Sequence, residues 1–214
     1  MENDVKEFLS ELLKQLKSID YIKPEDIPNI DLYMDQVTTF MDEQLAASKR
    51  YESDKILTKT MINNYAKNNL LPSPDKKKYS KEHVLTLLFI YYFKNILSIN
   101  DIRSILNPLT EKYFGNDDGF TMQDVYTEVF SLEAEESQKL LKDLGKKYKI
   151  AGETFEDFPD EDQKFLHTFS FICMLSFDVY IKKMLIERMI DDLNEEKEAS
   201  KKQPSACVRH HEFH

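Results

Sequence analysis

Apolar residues recur every three to four positions along most of this 214-residue chain, and the polar residues between them lay out one helix after another. Val5, Phe8, Leu9, Leu12, Leu13, Leu16 and Ile19 predict an amphipathic N-terminal helix that needs a surface to pack on. After a Pro-containing link over 22–29, Tyr33, Val37, Phe40, Met41 and Leu45 share one face of a second helix over 31–48. Thr58 is placed to cap a short helix running to Asn68, and Asn69 tolerates the left-handed conformation that ends helices. Pro72 and Pro74 forbid continuation, so 73–80 reads as an exposed basic loop or small hairpin. Ser80 opens a helix to about Asn95, with Val84, Leu87, Leu88, Tyr91 and Tyr92 among its apolar positions. Ser98 caps another, with Ile99, Ile102, Ile105 and Leu106 facing inward.

Asn107, Pro108 and the loop over 115–119 mark the clearest internal boundary. Beyond it the pattern predicts a helix from Thr121, another from Ser131 to about Lys147, a loop over 151–159 and a long helix over 160–194. The polar tail over 195–214 is expected to be mobile. The most apolar run, 165–177, contains His167 and ends at Asp178, short of the roughly 18 residues a membrane span needs. It reads as a helix buried in a protein core. With only four glycines and seven prolines, most at the edges of periodic segments, the helices are long and the fold class is all-α.

The net charge of -10 means that the chain as a whole repels nucleic acid and anionic lipid, so any DNA contact must be local. Between Lys49 and Lys81 the balance reverses. Nine basic residues (Lys49, Arg50, Lys55, Lys59, Lys67, Lys76, Lys77, Lys78 and Lys81) face three acidic ones (Glu52, Asp54 and Asp75), a local +6 that leaves -16 for the remainder. On the short helix after Thr58, the residues Lys59, Thr60, Asn63, Asn64 and Lys67 form one polar face opposite Met61, Ile62 and Tyr65. Asn bonds adenine edges bidentately and Lys reaches guanine or phosphate, so such a face suits a major groove.

The segment from Leu57 to Pro72, then Lys77 to Ser80, then a helix and Leu97 to Leu106, resembles the winged helix-turn-helix of MerR-type transcription regulators. It also resembles an uncharacterised bacterial family that carries this module in front of a helical extension. Ile62, Tyr65, Leu70, Leu71 and Pro72 match the recognition helix and its exit. Lys77 and Tyr79 match the wing, and Ser98, Ile102 and Leu106 the closing helix. Asn63 and Asn64 stand where MerR-type proteins usually carry an arginine and an aromatic, and Asn69 stands in place of a glycine. The link before Thr58 is longer than the family's tight turn.

The resemblance implies a transcription regulator that binds double-stranded DNA. Lys59, Thr60, Asn63, Asn64 and Lys67 would lie in the groove, and Lys76, Lys77, Lys78 and Tyr79 would form a wing on phosphate. A homodimer and a small-molecule or protein effector are the further partners it implies. The expected organisation is an N-terminal helix over 1–20, a winged-helix domain over 21–110, a dimerisation or effector lobe over 111–194 and a tail over 195–214. The rival reading is an acidic helical adaptor that uses the same fold to bind protein, favoured if the Lys76–Lys78 loop folds against the acidic lobe.

No cofactor, metal or catalytic role is expected. Cys207, His210, His211 and His214 hold metal-ligand chemistry but sit in the tail, and His83 and His167 lack ligand partners at a usual spacing. The acidic groups Glu133, Glu135, Glu136 and Asp160, Glu161, Asp162 read as helix-start carboxylates rather than acid/base pairs. Two cysteines, Cys173 and Cys207, make no disulfide framework, and the charged first twenty residues lack a signal peptide's apolar core, so a cytoplasmic location without membrane insertion is expected.

Overall fold

The computed structural model describes residues 22–116 and 119–202, except the side chains of 133–135, 137, 138, 201 and 202, together with positions 7, 10, 11 and 14. The apolar positions of the N-terminal helix and the metal-ligand residues of the tail lie outside the described residues. The chain is mostly helical: α1 is Met34–Gln44, α2 Lys59–Lys67, α3 Lys81–Phe93, α4 Ile99–Tyr113, α5 Met122–Gly152 and α6 Asp160–Lys202. Two short strands, β1 Leu32–Tyr33 and β2 Lys78–Tyr79, pair antiparallel with Leu32 opposite Tyr79. No described helix is long and apolar enough to cross a membrane.

Local chemistry sets the helix starts. The Thr58 hydroxyl accepts from the Met61 amide at 3.2 Å, and Ser98 and Thr121 each exchange hydrogen bonds with the acid three residues on, Asp101 and Asp124. At α3 a histidine replaces the usual acid, so the Ser80 amide donates to His83 Nδ1 at 3.0 Å. α1 starts later than its apolar spacing predicts, because Leu32 and Tyr33 are drawn into the strand pair. Tyr33 is therefore exposed and not part of the helix face.

α3 is the centre of the molecule. Every side chain from His83 to Tyr91 is buried, including the positions its sequence pattern would have turned to solvent. Around it pack Val37 and Met41 of α1, Ile62 and Tyr65 of α2, Ile102 and Leu106 of α4, and Met122, Tyr126 and Phe130 of α5. Phe89 meets Tyr126 edge-on with ring centroids 5.5 Å apart, and Tyr126 lies 4.4 Å from Phe130. The Tyr126 hydroxyl donates to the Ile22 carbonyl at 2.9 Å, which fixes where the chain enters the core.

Three sequence boundaries differ. Ser131 opens no new helix: its hydroxyl donates to the Glu128 carbonyl at 2.8 Å, and with no proline or glycine nearby α5 runs straight through. The boundary at Asn107 and Pro108 falls inside α4. Pro108 has no amide proton to give the Ser104 carbonyl, and the Lys197 ammonium donates to that carbonyl instead, at 2.7 Å. Lys197 belongs to the segment expected to be mobile, so residues 195–202 are part of α6.

The apolar run over 165–177 is not core. Phe165, Phe169, Ile172 and Phe177 are all exposed. α6 lies antiparallel to α5, held by Lys147 bridging Asp143 and Asp178, by a 2.8 Å hydrogen bond between His167 Nε2 and the Thr154 carbonyl, and by Tyr148 against Phe171. One neighbouring helix covers only one seam of another, so the rest of the apolar surface faces water.

The Pro108–Lys197 arrangement has a measurable signature. Lys197→Ala is expected to cost about 1.5–3 kcal/mol, the range for a hydrogen bond to a charged group. In a Pro108→Ala background, where residue 108 regains an amide for Ser104, the same change is expected to cost less than about 1 kcal/mol. Equal losses in both backgrounds, measured by urea unfolding, would show that Lys197 does not serve the carbonyl left by the proline.

Candidate nucleic-acid interface

α2 is short, and its two faces are chemically opposite. Ile62 and Tyr65 are buried in the core on the side of α2 that packs on α1, while Lys59, Thr60, Asn63, Asn64 and Lys67 are exposed, as the spacing predicts. Its end is built by Asn69, whose φ of 54° is left-handed, and by the Leu70 and Leu71 amides, both donating to the Tyr65 carbonyl. Among the described residues the only hydrogen bond from this surface back to the helix runs from the Asn68 side chain to the Asn64 carbonyl, at 2.7 Å. Lys59 pairs with Asp35 of α1. Both side chains are exposed, so the pair is worth about 0–1 kcal/mol and is readily exchanged.

The basic loop is a two-residue hairpin. The Lys78 amide donates to the Asp75 carbonyl at 2.8 Å, and Lys76 and Lys77 occupy the turn with φ of 46° and 66°. Two consecutive positive φ values are the hallmark of the type I′ turn, which Asn-Gly fills most cheaply. Lysine pays a steric cost of about 1–2 kcal/mol per residue in the left-handed region. Both lysines project at the tip and are exposed.

Beyond the tip the strand alternates. Lys78 points outward with its ammonium 5.6 Å from the Tyr33 ring centroid, whereas Tyr79 points inward and is 3% exposed. Tyr79 is therefore not a surface contact, and its expected role is corrected. Pairing with Leu32 turns it into the core, where it lies edge-on to His83 at 5.5 Å and burial raises its phenol above the ordinary range. His83, clamped between Tyr79 and Phe114, is held below the ordinary imidazole range by the same burial. A neutral ring is what its Nδ1 needs to accept the Ser80 amide, and that bond ties the hairpin to the first turn of α3.

Residues 45–58 join α1 to α2, a link longer than a tight turn but held in place. Ser48 bonds the Tyr91 hydroxyl, Lys49 pairs with Asp42 at 2.8 Å, and the Lys94 ammonium donates to the Ile56 carbonyl at 2.6 Å while lying over the Tyr91 ring. Lys49 and Lys94 are therefore structural cations, and burial lowers the Lys94 affinity for its proton. Arg50 and Lys55 are exposed on the same link, Arg50 with its guanidinium 5.3 Å from the Tyr51 ring. The sequence counted their charge without placing it. Their proximity in sequence to the start of α2 was the available signal.

The arrangement presents exposed amides and lysines on α2 together with lysines at a hairpin tip. Both α2 and the hairpin strand pack against α1, while α5 packs against α3 and α4, and α6 against α4 and α5. Among the described residues no group of three His, Cys, Asp or Glu is gathered to hold a metal, and Cys173 is an exposed free thiol.

No curated protein and no solved structure matches this chain. The family model of a domain of unknown function (DUF1836) matches residues 22–129. The matched span begins at the buried Ile22 and stops beside Phe130, where α5 leaves the packed core. By that match, over half of its length, the chain belongs to the family of the domain of unknown function DUF1836.

Proposed function

We propose that this chain is a DNA-binding transcription regulator, with α2 in the major groove and the hairpin tip on flanking phosphate as in a winged helix-turn-helix. The observation that carries this reading is the pair of lysines at the two left-handed positions of the turn. Folding alone favours Asn-Gly there, so two strained cations at an exposed tip point to an anionic partner. The order of strand, helix, helix, hairpin and helix supports it, as does the resemblance of this order to MerR-type regulators.

Base readout falls to Asn63, Asn64 and Lys67, with Lys59, Thr60 and Lys78 at the edge of the contact. The chain acts as a homodimer through the apolar surface of α6, since two short helices on adjacent half-sites supply affinity that one cannot. The C-terminal helices also take the effector, a small molecule or a protein. The adaptor reading would be favoured by a hairpin folded against the acidic helices, and the strand pair joins the hairpin to the entry of α1.

Two expectations separate groove from backbone. Replacing the turn by Lys76→Asn with Lys77→Gly is expected to raise stability by about 1 kcal/mol or more while weakening binding to every duplex alike. The log-log salt slope is expected to fall by up to about 1.8, at about 0.9 per phosphate contact. A more stable protein with an unchanged slope removes the hairpin from the interface.

Asn63→Ala and Asn64→Ala are each expected to have the opposite signature. Affinity for a matched duplex falls by about 1–3 kcal/mol, and that for a scrambled duplex barely moves. Competition binding decides it: if the two affinities drop together, or neither changes, α2 does not read sequence.

A further inference from the structure

Among the described residues His83 is the one buried histidine, 5% exposed, and its ring is a junction. Tyr79, at the end of the hairpin, stands edge-on to it at 5.5 Å, and Phe114, just past α4, at 4.7 Å. Nδ1 accepts the Ser80 amide at 3.0 Å and lies 2.8 Å from the Ser80 hydroxyl, whereas Nε2 is buried without a hydrogen-bond partner. One ring thus touches the hairpin, the start of α3 and the exit of α4.

A nitrogen that accepts an amide proton cannot carry a proton of its own, so the Ser80 bond exists only while the ring is neutral with its hydrogen on Nε2. A second proton, on Nδ1, can still be given to the Ser80 hydroxyl but sets donor against donor at the Ser80 amide. It also places a cation between two aromatic side chains in a site almost closed to water. The carbonyls of Pro72 and Ser73 and the carboxylate of Asp31, which precedes β1, favour that cation, but burial outweighs them and the ring binds a proton less readily than an exposed imidazole. The neighbouring titratable group from the hairpin is the Tyr79 phenol, and from α3 it is the Glu82 carboxylate, which already accepts the Gly115 amide at 2.7 Å. Carboxyl and phenol groups ordinarily titrate outside about pH 5–7, so in that range the imidazole is the group that changes charge.

The hairpin has few other fasteners. Of residues 73–80 only Tyr79 is buried, β1 and β2 pair over two residues each, and Lys76 and Lys77 hold positive φ in the turn.

We propose that His83 is a proton-operated latch: uptake of a proton by its ring breaks the bond to the Ser80 amide and frees Tyr79 and the lysine tip from the core. Because the closed ring binds a proton less readily than the open one, the latch holds fully above about pH 6.5 and weakens as pH falls below it. Each pH unit below that value multiplies the open fraction by up to about ten. The latch does not depend on what the hairpin touches. Where the tip meets phosphate, as proposed above, acid loosens that contact.

Amide exchange of the full chain without DNA, corrected for the intrinsic pH dependence of exchange, reads the latch separately from any phosphate contact. Between about pH 7 and pH 5 the opening equilibrium at the Lys78 and Ser80 amides is expected to rise about tenfold, while the Leu88 amide in the middle of α3 stays better protected. In His83→Gln, whose side-chain oxygen can still accept from Ser80 but takes up no proton, the hairpin is expected to show no such rise. The same rise in the variant assigns it to another group and overturns the proposal, as does the absence of a rise in the unaltered chain. Equal protection and an equal fall at Leu88 make the event an unfolding of the whole core, and also overturn it. Nitrogen NMR of the unaltered chain needs no variant: at pH 7 the unprotonated ring nitrogen of His83 is expected to be Nδ1, and a proton found on Nδ1 overturns the proposal.

Discussion

From His83 to Tyr91 every side chain of α3 is buried, so this helix has no face to offer water and every neighbouring element is arranged to cover it. Residues of α1, α2, α4 and the first turns of α5 share one core with it. Its two ends then fix what lies outside the core. At the N-terminal end, Ser80 and His83 hold the hairpin, and Glu82 accepts the Gly115 amide at 2.7 Å, where a left-handed glycine lets the chain leave α4. At the C-terminal end Lys94 reaches the Ile56 carbonyl and secures the approach to α2. The exposed polar faces of α2 and the hairpin are thus mounted on one rigid element, as a surface that reads another molecule requires.

What could be read from the sequence was what local chemistry decides. Thr58, Ser80, Ser98 and Thr121 announce four helix starts because a cap needs only the next three residues, and Asn69 announces a stop for the same reason. The polar face of α2 followed from spacing alone. Errors arose where a distant partner decides. Tyr79 turns inward because Leu32, far away in sequence, pairs with it, and α4 passes through Pro108 because Lys197 satisfies the carbonyl the proline abandons. Phe165 to Phe177 was misread because apolarity alone does not tell a core helix from one awaiting a partner.

The division of charge acquires a geometric sense in this arrangement. Of the nine basic residues between Lys49 and Lys81, Lys49 is consumed internally by Asp42, and Lys59 is loosely held by Asp35. The exposed remainder, notably Lys67, Lys76, Lys77 and Lys78, lies on α2 and the hairpin, while the acidic excess belongs to the rest of the chain, α1 with Asp35, Asp42 and Glu43 included. Approach of a chain of net negative charge to a phosphate backbone is favoured only where this local positive excess faces it. The uncovered apolar surface belongs to α5 and α6, so the proposed contact with nucleic acid and the proposed contacts between chains use different helices.

The most direct test of the central proposal is selection of genomic DNA fragments by the purified full-length chain at about 0.1–0.15 M salt, where non-specific binding is weak. The account requires enrichment of fragments sharing a short two-fold-related sequence, its half-sites about one helical turn apart or a multiple of it. Recovery of fragments in proportion to their abundance, with no shared sequence, would contradict it.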